Sequence, residues 1–192
     1  MKILVVKDIE TAMTANDLRV RLVADSALLP SGKPFFVPDF ATRFTGRIAL
    51  ALRMGRLGKH IAAKFAHRYF STVAACCMVT PHVVQCNGMN AEEDARLLSF
   101  DGSVLLGDFL PYDGQSDLNV SLCNEKGQEG TWLLPKTAPI FHGLIEELSR
   151  YFTLKMGDLI LCDSGKEVVD LNMGGEVHGS VCGEASLITR IR

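Results

Sequence analysis

The sequence predicts an α+β fold, predominantly β: a rolled, mostly antiparallel sheet with a few flanking helices. Three observations carry this. Short apolar runs bounded by Gly, Pro, Asn and Asp recur along the whole chain, the pattern of strands and turns. Helical spacing of apolar residues is clear in Ile61–Phe70 and Ile140–Phe152. Those segments do not alternate regularly with the strands, which argues against a doubly wound sheet.

In chain order, Met1–Val6 reads as a short strand. Thr11–Arg19 is polar and ambiguous, and Val20–Ala24 is a candidate second strand. Pro30, Pro34 and Pro38 make the next stretch an extended edge or loop, since proline cannot donate to a ladder. Gly46–Met54 is a strand whose even residues Ile48, Leu50, Leu52 and Met54 form a core face. Its odd residues Arg47, Ala49, Ala51 and Arg53 share the opposite face. A glycine-rich turn, Gly55–Gly58, feeds a helix with Ile61, Phe65 and Tyr69 on one side. Ser71–Thr80 is apolar throughout and suits a strand buried on both faces. Pro81–Leu98 reads as a loop and a short helix, and Val104–Leu110 as extended. Asp117–Cys123 and Gly130–Leu134 form a hairpin, with Gly127 at a positive-φ turn position. Ile140–Phe152 is a helix with Leu144, Leu148 and Phe152 on one side, followed by the strand Leu159–Cys162. Glu176–Val181 and Ser186–Ile191 make a last hairpin.

With 192 residues, 47% of them hydrophobic, one domain over 1–192 is expected. Within it, segment 1–40 packs on a β-roll formed by 41–192. A net charge of −2 gives no electrostatic footprint for nucleic acid. No apolar stretch approaches the roughly 20 residues of a membrane helix, and the short apolar start does not read as a signal peptide. The six cysteines form no C-x-x-C pair and mostly sit in strand-like apolar runs, where buried free thiols are common. A reduced, cytoplasmic protein without nucleic-acid or membrane partners follows.

The residues show no phosphate loop, no nucleophile elbow and no metal-ligand spacing. Cys76-Cys77 lies in an apolar run, unlike the electropositive, partly exposed setting of a reactive thiol.

Ser149–Ile160, SRYFTLKMGDLI, resembles a signature of the fumarylacetoacetate hydrolase family, S-x-x-x-T-L-x-x-G-D-x-I. The resemblance extends to Asp25–Phe40, to the G-K-x-I turn in GKHIAAKFAHRYF, to Ser99–Phe109 and to the C-terminal hairpin. It implies a fumarylacetoacetate hydrolase-like mixed β-sandwich roll. It also implies a dimer or larger assembly, and Mg²⁺- or Mn²⁺-dependent chemistry on 2-oxo or β-diketo acids. The ion would polarise substrate oxygens as a Lewis acid, held by carboxylates.

The resemblance places the family's E-x-E strand positions on Arg47 and Ala49, and its later metal-binding aspartate on Met78. Lysines of the family fall on Leu98 and Val23, and its N-terminal acid–base pair falls near Met13 and Asn16. A divalent ion facing a guanidinium would meet a repulsion of about 4 kcal/mol per unit charge pair at a moderate effective dielectric. The expectation is therefore a non-catalytic family protein with no metal and no catalytic residues. Its former-pocket residues are Arg47, Ala49, Met78, Leu98 and Val23. Arg47 would hold a small anionic ligand or merely fill the pocket with a salt bridge. A role as homodimer or as subunit partner of a related family member is a further reading. The alternative is an active hydrolase or lyase on a 2-oxo or β-diketo acid.

Overall fold

The structure is a computed structural model and describes residues 1–7, 9, 18–83, 94–113, 116–135 and 137–192. The first part of the chain holds β1 (Ile3–Lys7), β2 (Val20–Val23), β3 (Leu28–Pro30), β4 (Arg43–Met54) and β5 (Phe70–His82). A short helix α1 (Ala95–Leu98) precedes β6 (Val104–Leu106), β7 (Leu110–Pro111), β8 (Leu118–Asn124) and β9 (Glu129–Leu134). The long helix α2 (Thr137–Tyr151) leads to β10 (Leu159–Asp170), β11 (Glu176–Val181) and β12 (Glu184–Arg190).

The strands make two sheets. The larger runs β2-β1-β10-β4-β5-β6-β3, with β7 also paired to β5; the smaller runs β12-β11-β8-β9. β1 pairs β10 and β3 pairs β6 in parallel; the other named pairs are antiparallel. This is the predominantly β, mixed architecture expected from the sequence.

The period-two pattern of β4 and β5 explains their central place. Ile48, Leu50, Leu52 and Met54 enter the main core together with Val73, Ala75, Cys77 and Val79 of β5. The smaller sheet closes that core with Val120, Leu122, Val177 and Leu187. The opposite face is also buried. Ala49, Ala51, Ala74, Cys76 and Met78 pack there with Ile3, Val5, Leu159 and Leu161 in a second apolar cluster. Alternating side chains must therefore be apolar on both sides.

α2 buries Phe141, Leu144, Ile145 and Leu148, one face of its amphipathic pattern. Phe152, expected on the same side, is half-buried just past its end. The helix expected at Ile61–Phe70 is instead a six-residue 3-10 turn, Ala63–Arg68. Its approach is committed to tertiary hydrogen bonds. Gly58 N–H donates to Leu154 O, His60 N–H to Ser149 O and Ile61 N–H to Ser149 Oγ. Those donors are lost to a longer helix. Phe65, expected on the core side, is exposed and sits under Lys64 and Arg68. β5 also runs on through Pro81, opposite Phe44, to His82.

Gly127 has φ +76°, the left-handed conformation its hairpin turn needs. No described helix is long and apolar enough to cross a membrane.

Candidate functional site

Arg47 stands at the rim of the second apolar cluster, its side chain only 13% exposed. A guanidinium at that depth needs acceptors, and both neighbouring strands supply them. Nη2 and Nε donate to the two carboxylate oxygens of Asp163 on β10, at 2.9 and 3.4 Å. Nη1 donates to Thr80 Oγ1 on β5 at 2.7 Å. Asp163 is 2% exposed and also accepts the Gly165 amide at 2.9 Å.

The strand register produces this meeting. Asp163 lies opposite Ala49, and Glu167 opposite Arg47, so β10 slips by two residues between these pairs. Gly165, with φ +73°, sits within that irregularity. Nearer the strand end, Thr45 Oγ1 donates to Glu167 Oε2 at 2.8 Å and pairs with His82 Nε2 at 2.9 Å. His82 Nε2 lies 3.3 Å from Glu167 Oε2, an ion pair when the imidazole is protonated.

A cavity of about 370 Å³ opens over these groups. Among the described residues, the charged side chains on its wall are Lys7, Arg21, Arg47 and Glu167, with His82 beside them. Val79, Pro81, Val83, Leu97 and Leu98 form an apolar side. Of the residues singled out from the sequence, Arg47 and Leu98 line this cavity. Ala49, Met78 and Val23 are instead buried in the second cluster, Met78 directly beside Arg47 in the strand register. The acid–base positions near Met13 and Asn16 lie outside the described residues.

Sequence reasoning missed Asp163, Glu167, His82, Lys7 and Arg21. The one usable signal was an aspartate ending the apolar run LILCD, a place where a charge must find a buried partner.

A family model for the C-terminal part of fumarylacetoacetate (FAA) hydrolase matches residues 10–191. The chain belongs to the fumarylacetoacetate hydrolase family. A mitochondrial oxaloacetate tautomerase of Mus musculus is 25% identical over 180 residues, covering 89% of this chain and 79% of that protein. An oxaloacetate tautomerase of Escherichia coli is 26% identical over 177 residues, covering 87% of this chain and 78% of that protein. Fumarylpyruvate hydrolase from Pseudomonas aeruginosa, solved with Mn²⁺ and pyruvate, superposes with a TM-score of 0.78 at 17% identity. That match covers 100% of this chain and 89% of the hydrolase.

The family signature here is a set of structural clamps. Gly157 takes φ +87°, and Asp158 accepts the amides of Lys2 and Lys155 at 2.7 and 2.8 Å. Burial works against the Asp158 charge, but the hydrogen bonds from Lys2 and Lys155 hold its carboxyl below the usual range. Ser149 Oγ accepts Ile61 N–H at 2.8 Å, tying α2 to the turn after β4.

The residues at the expected metal position do not suit Mg²⁺ or Mn²⁺. Hard cations need several oxygen ligands, whereas this position offers a guanidinium, a methyl and a thioether. The nearby carboxylate of Asp163 is already engaged by Arg47 and Gly165. Among the described residues, no group of three or more His, Cys, Asp or Glu is placed to hold a metal ion.

Proposed function

We propose that this chain is a non-catalytic member of the fumarylacetoacetate hydrolase family. It keeps the fold and the cavity but has exchanged the metal site for an ion pair. The supporting observation is the Arg47–Asp163 contact at 2.9 Å, set between strands at the position the family resemblance assigns to a metal ligand. A cation fixed there repels a divalent ion and engages the nearest carboxylate. The cavity is left for a small anionic ligand, and the fold for pairing with a second copy or with a metal-binding relative.

The test is calorimetric titration with Mn²⁺ and Mg²⁺, run beside assays of oxaloacetate and acylpyruvate turnover with and without chelator. The expected result is no saturable metal binding and no chelator-sensitive turnover. Micromolar metal binding with chelator-sensitive turnover overturns it. That outcome establishes the competing reading, an active hydrolase or lyase on a 2-oxo or β-diketo acid. Relatives named as enzymes, matched over most of their length, favour that reading. Light scattering of the purified chain, alone and mixed with a metal-binding relative, tests the pairing role.

A further inference from the structure

We infer that two paired loops beside the C-terminal end of α2 dock the chain on an anionic phospholipid surface. Docking there does not depend on what occupies the cavity beside Arg47.

Backbone hydrogen bonds build the docking end. Residues 55–57 and 155–156 face one another between two pairs of these bonds. Met54 N–H donates to Asp158 O and Gly157 N–H to Met54 O, at 2.9 and 2.8 Å. Gly58 N–H donates to Leu154 O and Leu154 N–H to Gly58 O, at 2.9 and 2.8 Å. Asp158 N–H donates to Lys155 O at 3.0 Å, closing a β-turn with Gly157 at its positive-φ position and Met156 at the corner. Lys59 Nζ donates to the Arg150 and Tyr151 carbonyls at 3.0 and 2.9 Å, which ties the first loop to the end of α2. Gly55 N–H donates to Tyr69 O at 2.7 Å, which joins that loop to the 3-10 turn carrying Lys64, Phe65 and Arg68. Loops held this firmly have little freedom left to lose on docking.

The apolar side chains here stand far out of the surface. Leu57 is 67%, Tyr151 72% and Met156 78% exposed. Side chains that line a groove are partly covered by its walls. Side chains this bare, at loop tips, gain by entering a soft apolar phase. That favours a lipid surface over a peptide held in a groove.

The charge around them sets the sign of that surface. Arg56, Lys59, Lys64, Arg68 and Lys155 are all exposed. Lys64 and Arg68 each lie 5.0 Å from the centre of the Phe65 ring. No carboxylate of the described residues pairs with any of these cations. The acids nearby are engaged: Glu147 with Arg150, Asp158 with Lys2, and Glu146 with the Ala63 amide. The net charge of −2 conceals this end, because no Asp or Glu occurs between Asp39 and Glu92. Cations beside protruding apolar groups are the combination that holds a protein on an anionic bilayer.

The experiment is flotation of the full chain with vesicles of phosphatidylcholine alone, or with roughly a third phosphatidylserine. The expected result is binding to the anionic vesicles only. Binding is released between about 0.1 M and about 1 M salt, where the screening length falls from about 10 to about 3 Å. R56E/K155E and L57S/M156S each reduce partitioning at least about tenfold. These positions are exposed, so circular dichroism and urea midpoints of both variants match wild type. K33E/K126E makes the same change in net charge on other turns and leaves partitioning unaltered.

Absence of binding to the anionic vesicles overturns the inference, and so does equal binding to phosphatidylcholine alone. Loss in R56E/K155E with L57S/M156S unaltered identifies a polyanion read by charge only, such as an acidic protein segment, and overturns the bilayer as occupant. An equal loss in K33E/K126E shows that overall charge, not this end of the molecule, governs binding, and overturns it as well.

Discussion

Replacing Arg47 by Met tests whether the ion pair is an integral part of the fold. Met keeps much of the volume and removes the charge, leaving Asp163 buried with the Gly165 amide as its remaining donor among the described residues. Removing one partner of a buried pair costs about 3–5 kcal/mol. Arg47 is 13% exposed, so some water reaches the orphaned carboxylate, and the lower end applies. The expected loss is about 3 kcal/mol, or about 6–12 °C in Tm for a chain of this size. Adding Asp163→Asn removes the uncompensated charge while its amide oxygen still accepts Gly165 N–H. R47M/D163N is therefore expected within about 1 kcal/mol of wild type, and because Asp163→Asn alone also strands a buried charge, the coupling energy is at least about 2 kcal/mol. Urea unfolding of the four proteins in this cycle measures both quantities. If R47M unfolds within about 0.5 kcal/mol of wild type, the carboxylate is not buried as described. If the two single effects simply add, the two side chains do not depend on one another.

Burial, and then the charge of His67, holds His142 below the ordinary imidazole value of 6.5. Its Nε2 is buried without a hydrogen-bond partner among the described residues. A lowered native value means that the contribution to stability is complete above the unfolded-state value and is lost as pH falls through the native one. Urea midpoints should therefore drop below pH 6.5 in wild type, and drop less in His142→Phe. Gly107→Ala should cost about 1–3 kcal/mol in thermal or urea unfolding, because the added Cβ would lie 2.6 Å from the Ala75 carbonyl oxygen. Burial pushes the Cys76 thiol up to about 12 and raises Cys77 and Cys162 as well. With a disulfide reagent at neutral pH, these three should react only on unfolding, whereas exposed Cys182 labels in the native protein.

Much of the frame is legible in local pattern. The alternation in Gly46–Met54 and the apolar run after it locate β4 and β5, the centre of the larger sheet. Gly127 marks its hairpin because a positive φ is a property of the turn alone. The Ile61–Phe70 segment shows the limit. Its periodicity is helical, but the preceding backbone hydrogen-bonds to residues beyond position 148, so tertiary partners override the local preference. Leu98 and Arg47 reach one cavity from separate elements, while Met78, Ala49 and Val23 close an apolar layer beside it.

The sequence by itself determined the family. Its recognisable residues are local clamps: Gly157 at a positive-φ turn, Asp158 over two amides, and Gly107 where no Cβ fits. Such constraints depend on a few neighbouring atoms and so leave a short, readable trace. The sequence also showed a guanidinium, a methyl and a thioether where the resemblance expects carboxylates. Only the tertiary structure decided what Arg47 touches. Asp163 lies 116 residues away and reaches it through a register slip in β10, which no periodicity announces. Partner choice for a buried charge is set by where strands distant in sequence come to lie side by side.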